Sequence, residues 1–320
     1  MGQHYCKALY DITRDVFEGK EGTLMATASS GRVPINVVPH FSRLHEWIAL
    51  QEGYFQDEGL EPEMLTDVMH SVSSHRGDEY GQRPQDLPFV QGEEVANSAC
   101  EWGTACNAGA GMGKVVPDLY SVGRYAIFVR PGSRIERLYE LRNVPVGIGM
   151  MAGSHFTTLK TLGEVLPKEH VKVVHTGGPG QRLLALLDGE VEAANLLDPE
   201  IPIAEAKGLR KLAQGEFIVT FWVSPTISKE TLSKFFGALK RAEEALERNT
   251  SKYLRLWERN VPPALEGDYD YTKFGRGEKL VFEPYSQEMF EDAMQFAQAW
   301  GLHEHVRESR YEALLASVAV

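Results

Sequence analysis

Val146-Gly147-Ile148-Gly149-Met150-Met151-Ala152-Gly153-Ser154-His155-Phe156-Thr157-Thr158-Leu159 reads as a short apolar strand, a glycine turn, a Ser154 N-cap and a helix. A strand passing straight into a helix is the repeating unit of an α/β layer. Such a junction aims free backbone N–H groups, and the positive end of a dipole, at whatever lies in front of it. A carboxylate, sulfonate, sulfinate or phosphate fits that seat. The plainer reading is an ordinary capped helix, and the rest of the chain decides between the two.

Working outward, Val33–Val38 is a β-rich run, followed by the turn His40-Phe41-Ser42, with Ser42 as N-cap of a helix over Arg43–Glu52. A second strand is expected over Glu61–Leu65, then a long loop at 66–88 broken by a short helix. Glu94–Cys100 is a small-residue strand, and Thr104–Gly111 is a helix packed through Ala and Gly. Leu119–Val122 and Tyr125–Val129 read as two strands. Beyond the opening unit come the strand Val171–His175, the turn Gly177-Gly178-Pro179-Gly180, the helix Gln181–Leu187 and a strand closed by Asp198-Pro199. Ile201–Lys207 reads as a helix and Phe217–Val223 as an alternating strand. The remainder is helical: Lys229–Arg248, Thr250–Glu258, Ser286–Trp300 and a terminal helix near Arg307–Ala316. The alternation predicts a mainly parallel sheet covered on both faces, with ligands bound beyond the carboxyl ends of its strands.

A chain of 320 residues, 43% hydrophobic and 24% charged, has an ordinary globular composition and enough length for two lobes. A net charge of -12 argues against a general nucleic-acid or anionic-membrane surface. No run approaches the ~20 apolar residues of a membrane span, so no membrane insertion is expected. Cys6, Cys100 and Cys106 make neither a disulfide framework nor a zinc pattern and read as reduced thiols. His70, His75, Asp78 and Glu79 share a loop without metal-ligand spacing, so neither metal nor cofactor is expected. Residues 1–32 read as a polar N-terminal arm with no apolar signal core, which gives a cytoplasmic expectation.

Glu46-Trp47-Ile48-Ala49-Leu50-Gln51-Glu52-Gly53-Tyr54-Phe55-Gln56-Asp57-Glu58-Gly59-Leu60-Glu61-Pro62-Glu63 resembles the first helix and second strand of type 2 periplasmic-binding-protein folds. The group concerned is that of sulfonate/taurine and thiamine-pyrimidine (NMT1/THI5-like) proteins. Ala126–Leu141, Val146–Leu159, Leu184–Leu197 and the passage from Asp198-Pro199 to Gly208-Leu209 match further pieces of its pattern, so the resemblance covers roughly residues 33–260. It implies two α/β lobes joined by crossing strands near Ser121–Tyr125 and Phe217–Val223, with the ligand between them. Lobe one is then 33–122 plus 222–320, with a helical C-terminal region, and lobe two is 123–221. The family contains receptors and enzymes. Its pyrimidine synthases carry a cofactor-binding lysine where this chain has Cys100, and an iron motif that this chain lacks. Its aromatic sulfinate desulfinases carry a nucleophilic cysteine where this chain has His40, so neither mechanism transfers.

Strand ends should line the cleft. In lobe one these bring His40, Phe41, Arg43, Ser73, His75, Cys100, Glu101, Trp102 and Thr104; in lobe two Gly153, Ser154, His155, Thr157, Gly178 and Asp198, with Trp222 on the return crossing. Each has a plainer reading: Arg43 can pair with Glu46 or Glu101, and Cys100 can be an inert buried thiol. Glu101 beside Trp102 is a candidate for a raised pKa. Two functions follow. One is a cytoplasmic lyase or hydrolase acting on a small, cyclic or aromatic organic anion. In it His40 and Glu101 do acid–base work, Cys100 is a possible nucleophile, and Ser154, the amides after it and Arg43 hold the anion. The other is the solute-binding subunit of an ABC-type importer, which binds without turnover and has a permease as its partner.

Overall fold

The computed structural model describes residues 31–72, 74 and 81–316. Most of the expected N-terminal arm, together with Ser73 and His75, lies outside the described residues. Along the chain run β1 (Val33–Val37), α1 (His45–Gln51), α2 (Tyr54–Asp57), β2 (Leu60–Met64), α3 (Thr66–Ser71), α4 (Leu87–Val90), β3 (Val95–Cys100), α5 (Glu101–Gly109) and β4 (Lys114–Val129). There follow β5 (Pro145–Ile148), α6 (Gly153–Gly163), β6 (Lys172–His175), α7 (Gln181–Leu187), β7 (Ala193–Leu197), α8 (Glu200–Ala206), β8 (Arg210–Val223), α9 (Lys229–Arg248), β9 (Lys279–Val281) and α10 (Gln287–Ala299).

All nine strands join one sheet in the order β2-β1-β3-β8-β4-β7-β5-β6, with β9 paired to β4. Pairing is parallel within each flank, where β1 lies between β2 and β3 and β5 lies between β6 and β7. It turns antiparallel where the long central strands join them: β3 on β8, β7 on β4, and β4 on β8. The flanks attach at opposite ends of this central pair, β3 to Val219–Val223 of β8 and β7 to Tyr125–Val129 of β4.

The sequence suggested two strands where β4 is continuous. Gly123 stays in the ladder opposite Phe217, and a Cβ there would meet the Phe217 ring at 3.1 Å and Glu278 at 3.0 Å. Glycine here answers a close approach of side chains rather than a turn. β8 likewise begins seven residues before the alternating run, because Lys211, Gln214 and Glu216 continue the ladder on its polar stretch.

The α9 helix behaves as its pattern predicts. Ser228 caps it by accepting the Thr231 N–H at 3.0 Å, and Leu232, Phe235, Phe236, Leu239, Ala242 and Leu246 bury one face against the first flank. Two other expected helices do not form. Thr250–Glu258 is broken into 3-10 turns, because the Asn249 side chain accepts the Lys252 N–H and restarts the chain. The terminal segment keeps one such turn at Tyr311–Leu314, since the Arg307 and Glu308 amides bond Gly109 O and the Ala316 amide bonds Val115 O. No helix among the described residues is long and apolar enough to cross a membrane.

Candidate functional site

The turn before α6 is wired differently from the expectation. The helix starts at Gly153 with extended Ala152 in the cap position, so Ser154 lies inside the first turn. Its buried hydroxyl accepts the Gly149 N–H at 3.0 Å, bracing the turn instead of capping the helix. Met150 and Met151 donate their amides to His175 Nδ1 (3.1 Å) and His155 Nδ1 (3.2 Å), and Met151 holds a left-handed φ of 56°. Backbone in that region persists where surroundings enforce it, often at ligand sites. The Gly153 and Ser154 amides belong to the first turn, which leaves N–H groups without intrahelical acceptors. A Cβ at Gly153 would meet the Phe217 ring at 3.1 Å and Cys100 Cβ at 3.6 Å, so any larger residue would have to push the Phe217 ring aside.

This end of α6 opens into a cleft of about 50 Å³ at the carboxyl ends of β1, β3 and β7, walled by Val38, Phe41, Met151, Leu197, Phe217 and Trp222. Five of the expected residues line it: His40, Phe41, Cys100, Gly153 and Trp222. Phe41 stacks on His40 with ring centroids 4.7 Å apart. Trp222 stacks on Phe89 at 3.8 Å and donates its indole N–H to Met112 O, which fixes its ring as a rigid wall.

His40 is buried, and its Nδ1 lies 3.0 Å from Glu278 Oε1, out of line for a hydrogen bond. Burial works to raise the Glu278 pKa, but the charges of His40 and Arg43 and a 2.8 Å hydrogen bond from Ser121 outweigh it and hold the carboxyl at about 2. Arg43 is not turned to the cleft. Its guanidinium grips Glu46, donates to Ser98 Oγ at 2.9 Å and reaches Glu278 at 3.4 Å. The Arg43–Glu46 pairing is the plainer reading offered above.

Other expected residues are occupied elsewhere. Burial pushes the Cys100 thiol up to about 12, so it is a neutral group at the cleft wall. Burial also raises Glu101, to about 7, but its carboxylate accepts from Tyr285 Oη at 3.3 Å and does not line the cleft. Trp102 stacks on Phe156 and packs against Phe296. The Thr104 hydroxyl donates back to Ala99 O in β3 (3.2 Å) and the Thr157 hydroxyl to Gly153 O in its own turn (2.7 Å). His155 is buried, which lowers its ring to about 4, and it serves as acceptor for Met151. Gly178 donates its amide to Gln181 Oε1 at 2.8 Å. Asp198 is raised to about 6 by burial and held by Arg124 through bonds of 2.8 and 2.9 Å.

The cleft also contains residues that sequence reasoning missed: Arg83, Gln85, Asn97, Ser98, Asn107 and Arg182. Asn97 and Ser98 were within reach, since they lie on the strand whose end, Cys100, was already assigned to the cleft. Arg83 binds Asp86 through 2.6 and 2.8 Å bonds and Asn107 Oδ1 at 3.0 Å, and it comes from a loop with no periodicity to place it. Arg182 opens a leucine-rich helix and is 1% exposed, paired with the buried Glu200.

No protein-family model and no curated protein sequence matches the chain. Solved structures do. The alkanesulfonate-binding protein SsuA of Xanthomonas axonopodis pv. citri, bound to MOPS, is 15% identical, covers 91% of this chain and 100% of its own, and superposes with a TM-score of 0.64. A Candida albicans gene product, CA3427, said to exhibit the generic periplasmic binding protein fold, is 11% identical over 90% of this chain and 98% of its own, with a TM-score of 0.66. The desulfurization enzyme DSZB is 15% identical over 89% and 97%, with a TM-score of 0.57. Strand order, flank attachment and these superpositions agree: the chain has the periplasmic-binding-protein fold.

Proposed function

We propose that the cleft binds a small organic anion with an apolar, cyclic or aromatic body. The observation that carries this reading is the opening of the α6 N-terminus, at Gly153, into a cavity walled by Phe41, Phe217 and Trp222. The helix end supplies donors and positive potential for a head group, and the rings supply apolar contact for a body. Proteins of the same fold give it support: SsuA is bound to MOPS, and a DSZB variant is in complex with biphenyl-2-sulfinic acid. In this reading residues 33–122 plus 222–320 form one lobe and 123–221 the other, with β4 and β8 as the crossings. Calorimetric titration with benzenesulfonate and benzoate checks it, and saturable one-to-one binding is expected. Binding that survives unchanged in Gly153→Val, where the added side chain fills the cleft mouth, counts against this site.

A second reading adds turnover, in the manner of a lyase or hydrolase. It rests on His40, a buried imidazole in the cleft whose Nδ1 lies 3.0 Å from the Glu278 carboxylate, a pair that can take up acid–base work when substrate binding brings the two into line. Cys100, a neutral thiol, and Glu101, outside the cleft, have no part in it. Mass spectrometry of incubated arylsulfinates and arylcarboxylates separates the two readings. Loss of probe that disappears in His40→Gln supports an enzyme, whereas stable probe at saturating protein supports a receptor that hands its ligand to a permease.

A further inference from the structure

Arg182 combines three properties: it lines the cleft, it is 1% exposed, and its donors are incompletely used. One terminal nitrogen grips Glu200, and the other reaches Gly177 O at 3.5 Å. The Nε–H has no acceptor among the described residues, although it is fully buried. A guanidinium N–H buried without an acceptor is costly, and native structures rarely leave one so. Glu200 is in turn fixed by the Gly180 N–H at 3.0 Å, which prevents it from turning to serve both nitrogens.

The cations around the cleft already have carboxylate partners. Arg83 is matched by Asp86, and Arg182 by Glu200. Arg43 faces both Glu46 and Glu278, so two carboxylates already share one guanidinium beside the cleft. The remaining positive potential is that of the α6 N-terminus, roughly half a unit charge. One negative charge is the most that this potential and the orphan Arg182 N–H can meet; a dianion would bring a second charge into a low-dielectric site with nothing to meet it.

We infer that Arg182 is the head-group donor of this cleft, its Nε–H bonding one oxygen of a monoanionic sulfonate, sulfinate or carboxylate, and that the site rejects phosphate-type dianions. This inference rests on the cleft being the binding site. The test uses the full chain at pH 8, with benzenesulfonate and benzoate as monoanions and phenyl phosphate, whose second ionisation falls near pH 6, as the dianion. Calorimetry should give at least tenfold weaker binding for phenyl phosphate. Arg182→Lys, which keeps a cation opposite Glu200, should bind benzenesulfonate at least tenfold more weakly than wild type. The Arg182 Nε–Hε correlation of 15N-labelled wild type should move with benzenesulfonate along the calorimetric isotherm, a readout that holds even where the variant does not fold. A stationary Nε signal during saturable binding overturns the assignment, as does unchanged affinity in Arg182→Lys. Equal or tighter binding of phenyl phosphate overturns the charge selection. If wild type binds none of the three probes, the cleft reading falls and this inference with it; if only the Arg182 readouts fail, the cleft reading stands.

Discussion

At the scale of single residues, burial decides what each polar group can do. The Cys100 thiol, pushed to about 12, exposes roughly one part in 10⁵ of thiolate at pH 7, and Cys106 is pushed just as far by the same burial. Iodoacetamide at pH 8 should therefore leave both unmodified in the folded protein and alkylate both in urea, as peptide mass mapping would record; rapid native labelling of Cys100 would restore it as a nucleophile. Position along the chain located His40, Phe41 and Cys100 at the cleft, because a residue just past a strand end has few other places to go. Direction was not readable. Whether Glu101 faces the cleft or Tyr285 depends on which way the first turn of α5 rotates, and Arg43, just before α1, faces Glu46 in the first turn of that helix because a partner three residues on outcompetes a distant cleft. Arg182 was invisible for a different reason. A cation inside a leucine helix reads as a surface group until its buried partner, 18 residues on, is known.

At the scale of elements, the α6 junction is the informative one. Ser154→Ala leaves the buried Gly149 N–H without an acceptor, which should cost about 1–3 kcal/mol, more than the ~1 kcal/mol of an exposed cap. Urea denaturation would read the difference, and a loss of only a few tenths would mean that the turn finds another acceptor. The expected strand–turn–helix unit is present, but the cap was assigned two residues late. Ser at such a junction resembles an N-cap in sequence, whereas here the chain needs a brace to hold Met151 at positive φ. Regular, well-patterned elements such as α7 and α9 were readable to the residue, since 3.6-residue periodicity and flanking caps fix both ends. Polar strand extensions were not, because Arg210–Glu216 gains its pairing from β4 rather than from its own pattern.

At the scale of the whole molecule, stability should depend on pH in two opposing limbs. Glu278 and Glu243 have folded pKa values lowered to about 2, Glu278 chiefly by His40 and Arg43 and Glu243 by His45 and Arg276, each against the raising effect of burial. They bind fewer protons folded than unfolded, so the stability they give is lost as pH falls from about 4.5 toward 2. Glu101, raised to about 7 by burial, works the other way. It stabilises while protonated, and up to about 3 kcal/mol should fade as pH climbs from about 4.5 to 7. Thermal melts of wild type and Glu101→Gln between pH 4 and 8 test this, because the variant should lose the part of the upper limb that ends near 7 and keep the part from Asp198, raised to about 6; parallel curves would remove Glu101 as a source.

The place of β8 between β3 and β4 also has a consequence for how the protein is made. A ribosome delivers β3 and β4 long before Arg210–Val223, the strand that joins them. Until then the first flank exposes β3 as a bare edge, and such edges recruit other chains. The middle segment, whose β5, β6 and β7 pair with one another and with β4, can assemble while it waits. A nascent chain stalled at residue 209 should accordingly be aggregation-prone, and one carried through 223 much less so.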